Sequence, residues 1–219
     1  MPLIVILLTV AIVAASTVQL MSENSILFPR SISEWMFEAG AIAGGPDFQG
    51  VYRPLGWFAP LVLHVFLHGG IFHLAMNMTA MVAFGPPIAM AFGRDLKGAL
   101  GFLIFFVGAA IAGALFQIGW SDLTGQSELA IGTSSALSGF LPAVGWIMGG
   151  YKQAIRMSVP WLLINIAIAV TGELLAGAVG IRLAWAAHIG GLAGGFVLFP
   201  LLLAVFNPRV WARIRQLHH

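Results

Sequence analysis

The sequence predicts an all-α polytopic membrane protein, a bundle of six transmembrane helices with a large structured first loop. Of its 219 residues, 59% are hydrophobic and only 8% are charged, whereas soluble domains carry about 25% charged residues. The mean hydropathy is +0.95. Several apolar runs are also long enough to cross a hydrocarbon layer roughly 30 Å thick at about 1.5 Å per residue.

Charge and cysteine content exclude several classes of partner. The ten Lys and Arg residues and eight Asp and Glu residues give a formal net charge of +2. The basic residues are scattered over loops and form no patch suited to nucleic acid. Cysteine is absent, which rules out disulfides and thiolate metal sites. We therefore expect a lipid bilayer as the environment and no nucleic acid. We also expect no cofactor and no metal, although a metal site built from histidines stays open at this point.

The first apolar run, residues 3–20, is predicted to be the first span. A signal peptide is the competing interpretation, since Ala14-Ala15-Ser16 resembles a cleavage site. No Lys or Arg precedes the run, however, and about 18 apolar residues suffice to span. Residues 22–60 then combine turn signals with many aromatic side chains. They predict a structured loop that rests partly among the lipid headgroups.

The remaining spans follow at short intervals. Gly85-Pro86-Pro87 is expected to interrupt the second span near its end, and Lys152 and Arg156 to separate the fourth span from the fifth. We expect a single domain over residues 1–219. Its later spans cover residues 71–92, 100–118, 134–150, 159–179 and 183–206.

Loop charges predict the orientation of the bundle. Positive residues favour the cytoplasmic side, and six spans return the chain to the side where it began. Both termini are thus expected to be cytoplasmic. Seven basic residues fall on one side: Arg94, Lys97, Lys152, Arg156, Arg209, Arg213 and Arg215. Seven acidic residues fall on the other: Glu23, Glu34, Glu38, Asp47, Asp122, Glu128 and Glu173.

A histidine in the sixth span is the first candidate site residue. An ionisable side chain at membrane depth is costly without a partner and marks a functional candidate. Helical spacing places His188 on one stripe with Ala184, Gly191 and Gly195. The small residues of this stripe allow another helix backbone to approach closely.

The start of the fourth span offers a partner for that histidine. Gly132 permits a tight turn, and Ser134 presents its hydroxyl at a helix N-terminus, where a developing anion is favoured. A helix cap is the alternative role for this serine. If the two faces pack together, Ser134 reaches His188 and forms a serine–histidine dyad. The fourth-span stripe consists of Ser134, Ser138, Pro142, Gly145 and Gly149.

A third cluster lies at the start of the second span. His73 and Asn77 are four residues apart and therefore share one helix face, while His64 and His68 lie in the preceding loop, before Gly69-Gly70. These residues could form a metal site, a set of hydrogen-bond donors, or buried polar bridges between helices.

Together, these three motifs resemble the rhomboid family of intramembrane serine proteases over residues 3–206. The resemblance implies Ser134 as nucleophile and His188 as general base. It implies His73, Asn77 and the backbone N–H of Ser134 as oxyanion donors. His64 and His68 would hold the loop and hydrate the site. Gly132, Gly191 and Gly195 would support the dyad.

The family further implies single-pass transmembrane substrates, cleaved near the extracytoplasmic face in a water-filled cavity. A small six-span form is typical of a bacterial inner membrane. Two departures from the family pattern bear on the site. Ser135 replaces a glycine after the nucleophile, and Ser138 replaces an aromatic residue that packs on the imidazole, so His188 needs other support.

Two other functions stay open from the sequence. A rhomboid-like protein without catalytic activity would bind membrane-protein helices and leave them intact. A metal-dependent enzyme or metal transporter would use His64, His68, His73 and His188. The chain lacks a His-Glu-x-x-His pair, and no carboxylate neighbours these histidines in sequence.

Overall fold

The computed structural model describes residues 1–179 and 184–217. Leu183, with which the predicted sixth span begins, lies outside the described residues. Five helices in the described ranges are long and apolar enough to cross a membrane. The chain is thus an integral multi-pass membrane protein with an all-α architecture. The helices are α1 (Leu3–Glu23), α2 (Arg30–Gly40), α3 (Pro60–Leu63), α4 (Ile71–Phe92), α5 (Leu96–Thr124), α6 (Ser134–Ser138), α7 (Phe140–Val179), α8 (Trp185–Phe206) and α9 (Pro208–Leu217).

Helix α7 folds back on itself and supplies two crossings. Its helical geometry breaks at Gly149 and at Gly150, whose φ of 62° favours glycine. A Cβ on Gly145 would lie only 2.5 Å from the Cα of Ala154, so the chain reverses there. We call residues 140–148 the first arm and residues 151–179 the second arm. With α7 counted as two arms, the five candidate helices of the described residues provide six transmembrane segments.

The helix that contains the predicted fifth span, residues 159–179, begins before that span. It starts directly after Gly150 and not near residue 159, so Lys152 and Arg156 lie inside the helix. Lys and Arg are both good helix formers. Their charges therefore limit how far the apolar run extends but do not end the helix.

The expected interruption of the second span was wrong. Gly85-Pro86-Pro87 does not interrupt α4, which continues through both prolines to Phe92. The third span was predicted over residues 100–118, and the helix that contains it, α5, is longer and covers Leu96–Thr124. Asp95 caps its start by accepting a hydrogen bond from the Gly98 N–H at 2.9 Å. Helices therefore extend beyond the apolar residues that define a span.

The first loop is structured and is joined to the segment that precedes α6. Strand β1 (Ile42–Gly44) pairs antiparallel with β2 (Glu128–Ala130), with Ile42 opposite Ala130. The sequence analysis did not predict this pairing, because three-residue strands carry too little pattern. The pairing fixes the chain just before the Gly132 turn.

Close approach of backbones holds α8 against its neighbours. A Cβ on Gly191 would overlap the carbonyl oxygen of Ser135, and one on Gly195 would overlap Gly139. Lipid tails supply no hydrophobic drive between helices, so small residues that allow tight packing stabilise such contacts. The sixth-span stripe is therefore in contact with the fourth span.

The predicted partner stripe on the fourth span was wrong at Gly145 and Gly149. Residues 135 and 139 meet α8, whereas Gly145 packs on Ala154 and Gly149 packs on Gln153 in the second arm. The second arm of α7 packs against the face of the fourth span that carries Gly145 and Gly149. The sequence periodicity could not separate the two neighbours, because glycines line both faces.

An aromatic core packs the helices further along α8. The rings of Phe92, Phe105 and Phe199 have centroids 5.6–6.0 Å apart. Phe102 and Phe140 extend the cluster, and all five side chains are at most 1% exposed. Such ring pairs contribute about 0.5–1.5 kcal/mol beyond area burial.

Candidate active site

Three helices begin at the same end of the bundle and bring the motif residues together. Ser134 is the first residue of α6, His188 is the fourth of α8, and His73 is the third of α4. Asn77 lies one turn beyond His73. At about 1.5 Å per residue, all four lie within roughly 10 Å of a helix start. The candidate site therefore lies just below one surface of the bundle.

The hydroxyl of Ser134 and the imidazole of His188 are in hydrogen-bond contact. The distance between Ser134 Oγ and His188 Nε2 is 2.8 Å. His188 is 7% exposed, and Ser134 is half-buried. The close approach of Gly191 to Ser135 fixes the spacing of the two helices beside this pair. The arrangement can transfer a proton from the hydroxyl to the imidazole.

The other ring nitrogen of His188 is held by the second arm of α7. Its Nδ1 lies 2.8 Å from Asn165 Oδ1, and the Asn165 side chain is fully buried. The ring of Trp161 packs against the imidazole with centroids 5.5 Å apart. The sequence analysis missed both residues. Their signal was an Asn and a Trp four residues apart in an apolar run, and no motif pointed to it.

His73 and Asn77 flank the turn at Gly132. The Gly69 N–H donates to His73 Nδ1 at 3.3 Å, which leaves the proton of a neutral ring on Nε2. A Cβ on Gly132 would lie 2.8 Å from this Nε2 and 3.6 Å from Asn77 Nδ2. Gly132 also has φ of +115°, so glycine suits both the turn and the space.

The side chain of Asn77 carries a hydrogen-bond donor that no described residue accepts. Its Nδ2 is buried and has no hydrogen-bond partner among the described residues. A buried amide without a partner costs about 1–3 kcal/mol, so a structural bridge between helices does not account for it. His73 Nε2 and Asn77 Nδ2 together form a pair of donors beside Gly132.

His64 is hydrogen-bonded to Ser135, the serine that stands where the family resemblance implied a glycine. Its Nδ1 donates to the carbonyl oxygen of Pro60 at 2.8 Å, so its Nε2 accepts from the hydroxyl of Ser135 at 2.9 Å. Burial lowers the pKa of His64 to about 4, and the ring is neutral at pH 7. His64 thus joins the loop before α4 to the start of α6.

His68 is tied to the first span. Ser16 Oγ donates to the Phe66 carbonyl at 2.9 Å and accepts from His68 Nδ1 at 2.8 Å. The Gln19 carboxamide bonds both the backbone N–H of His68, at 2.9 Å, and its carbonyl, at 3.0 Å. Burial, together with neighbouring His73, lowers the pKa of His68 to about 3.

The sequence analysis missed α1 as the support of this loop. Ser16, Gln19 and Ser22 are each 0% exposed, and they recur every three residues in an otherwise apolar run. That periodicity was the available signal.

Gln117 on α5 was missed in the same way. It accepts from the Ala187 N–H at 3.2 Å and donates to the Glu128 carboxylate.

In the described part of the chain, no three His, Cys, Asp or Glu residues are grouped so that they could hold a metal ion.

Residues 55–205 match the family model described as the Rhomboid domain. The chain belongs to the rhomboid family. The match covers α4 to α8 and therefore every motif residue of the candidate site.

Curated rhomboid relatives come from plants and yeast. The chain is 34% identical over 195 residues to RHOMBOID-like protein 6, mitochondrial, of Arabidopsis thaliana, which covers 84% of this chain and 54% of that protein. It is 30% identical over 188 residues to RHOMBOID-like protein 4 of the same plant, covering 83% and 41%. Rhomboid protein 1, mitochondrial, of Saccharomyces cerevisiae is 30% identical over 137 residues, covering 58% and 36%. The chain spans about half the length of these relatives or less.

Proposed function

We propose that this rhomboid protein is an intramembrane serine endopeptidase that uses Ser134 and His188 as a catalytic dyad. The observation that carries the proposal is the 2.8 Å contact between Ser134 Oγ and His188 Nε2. The two residues are 54 positions apart, and both helices begin at the end of the bundle where the polar site lies. A buried imidazole placed against a serine hydroxyl is the arrangement that nucleophilic catalysis requires.

The chemistry follows acyl transfer. His188 Nε2 takes the hydroxyl proton as Ser134 Oγ attacks the carbonyl carbon of the scissile peptide bond. The resulting imidazolium then donates that proton to the leaving amine as the C–N bond breaks. A water molecule attacks the acyl-serine ester in the second half, again with His188 as base, and this step releases the new carboxyl group.

The oxyanion of the tetrahedral intermediate is stabilised by His73, Asn77 and the backbone N–H of Ser134. Asn77 Nδ2 supports this role because it is buried and unpaired among the described residues. A donor that gains its partner only in the intermediate stabilises that state selectively. Loss of one such donor typically lowers the rate about 10²- to 10³-fold.

The substrates are single-pass transmembrane proteins whose helices unwind near the site. A peptide bond within an intact helix is shielded, and breaking its hydrogen bonds in lipid costs several kcal/mol. The loop charges orient the site toward the extracytoplasmic face, with both termini cytoplasmic. We further propose one catalytic domain in a bacterial inner membrane.

Cleavage of a fluorogenic transmembrane peptide in liposomes tests the function. The native protein should cleave it, and Ser134→Ala and His188→Ala should each abolish cleavage while leaving the far-UV circular dichroism unchanged. Thr171→Ala is the matched control, because among the described residues that exposed hydroxyl bonds only its own helix, at Ala167. Substantial cleavage by either dyad variant would refute the assigned roles. A folded native protein that binds the peptide without cutting it would favour the inactive binder.

A further inference from the structure

We propose that Asn165 is a positioning residue that fixes the tautomer and orientation of His188. The inference rests on the proposed function, and it extends the dyad to a hydrogen-bonded series of Asn165, His188 and Ser134. Asn165 is fully buried on the second arm of α7, and its Oδ1 contacts the ring nitrogen of His188 that the Ser134 hydroxyl does not use.

The hydrogen bonds of Asn165 leave one consistent assignment of protons. Asn165 Nδ2 donates to the carbonyl oxygen of Trp161 at 2.8 Å. A carbonyl oxygen only accepts, so the amide nitrogen must face Trp161 and Oδ1 must face the imidazole. An amide oxygen also only accepts, and therefore His188 Nδ1 carries a proton.

That assignment sets the reactive nitrogen. In a neutral ring with the proton on Nδ1, Nε2 presents its lone pair. The lone pair faces Ser134 Oγ at 2.8 Å, so the hydroxyl donates to it. The opposite tautomer would leave Asn165 Oδ1 facing a lone pair and Ser134 facing an N–H. Asn165 thus selects the form of His188 that can act as a base.

The same helix arm also supplies the aromatic support of the imidazole. Trp161 Nε1–H donates to Ser138 Oγ at 2.9 Å, and the Ser138 hydroxyl donates to the Ser134 carbonyl at 2.8 Å. Ser138 occupies the position where the family resemblance led us to expect an aromatic side chain. Here the serine anchors an aromatic ring from the fifth crossing, and the ring packs on His188.

Inactivation kinetics with a fluorophosphonate probe separate positioning from binding. Asn165→Leu should lower the inactivation rate constant kinact about 10- to 100-fold, because loss of the positioning bond removes only part of the roughly 10²- to 10⁴-fold contribution of general acid–base catalysis. It should leave KI within about threefold. Asn165→Asp keeps an acceptor oxygen and should restore most of kinact. Ile164→Ala is the control, since this neighbour on the same arm is 49% exposed, and it should match the native protein.

Two kinetic results would overturn the inference. One is a kinact for Asn165→Leu within threefold of the native value. The other is an equal loss in the Leu and Asp variants, which would show that an acceptor oxygen at this position does not support His188.

Nitrogen NMR reads the tautomer of His188 in the native protein and does not depend on catalysis. In ¹⁵N-histidine-labelled native protein, the signals lost in His188→Gln should report a protonated Nδ1 and an unprotonated Nε2. The opposite tautomer in the native protein would overturn the inference. If the native protein does not react with the probe at all, the proposed function fails. The NMR spectrum still shows whether His188 carries its proton on Nδ1, the nitrogen that faces Asn165.

Discussion

Gly191 is the point where one added carbon atom should separate the two halves of the site. An alanine Cβ there would overlap the carbonyl oxygen of Ser135 and lie 2.7 Å from its carbonyl carbon. Carbon atoms pack at about 3.5–4.0 Å, so α8 and α6 must move apart by about 1 Å. The obstacle is backbone, which cannot rotate away as a side chain can.

The expected cost follows from two opposing effects. Overpacking typically costs about 1–3 kcal/mol, and a rigid obstacle places Gly191→Ala at the upper end. Alanine regains up to about 1 kcal/mol of helix propensity over glycine. The free energy of unfolding should fall by about 2 kcal/mol. A 1 Å displacement of His188 from Ser134 should also lower kinact for a fluorophosphonate about 10²-fold.

Unfolding by SDS in mixed micelles, followed by tryptophan fluorescence, measures the stability of the variant. Gly119→Ala is the matched control, because a Cβ at this α5 position meets no atom within 4 Å. It should be as stable as the native protein or slightly more so. If Gly191→Ala matches Gly119→Ala in both unfolding and kinact, close packing at Gly191 does not set the geometry of the dyad.

Three further predictions concern the polar groups around the dyad. Asn77→Ala should lower kinact about 10²-fold without lowering the SDS unfolding midpoint, because Nδ2 has no partner to lose among the described residues; a large loss of stability with unchanged kinact would contradict this. Gln19→Leu should lower the free energy of unfolding by about 2–4 kcal/mol, since it strands the N–H and the carbonyl of His68; a native-like unfolding curve would refute that support. Burial lowers the pKa values of His64 and His68 to about 4 and about 3, so below about pH 6.5 the unfolded chain binds protons that the folded protein does not. The free energy of unfolding should therefore fall as the pH is lowered from about 6.5 toward 4. Unfolding midpoints that rise on acidification would contradict this.

The sequence predicted what depends on local pattern. Apolar runs identified the spans because the bilayer imposes a length and excludes charge. The small residues around His188 predicted a close helix contact, and the structure brings His188 to Ser134 through Gly191. The helix start at Ile71 followed from Gly70, whose φ is 138°.

The remaining features depend on contacts between distant segments. The pairing of Ile42 with Ala130 has no local sequence signature. Asn165 and Gln19 are buried polar residues in apolar runs. A polar residue in such a run predicts that a hydrogen-bond partner exists but does not identify it. Which partner it meets is decided by how the crossings pack, and an apolar run without a clear stripe does not encode that.

The central claim is that Ser134 is a nucleophile activated by His188. The most direct measurement is mass spectrometry of the native protein in liposomes after reaction with a fluorophosphonate. We expect one covalent adduct, located on Ser134, and none in the Ser134→Ala or His188→Ala variants. A folded native protein that carries no adduct, or one that is labelled equally in Ser134→Ala, would contradict the proposed catalytic role.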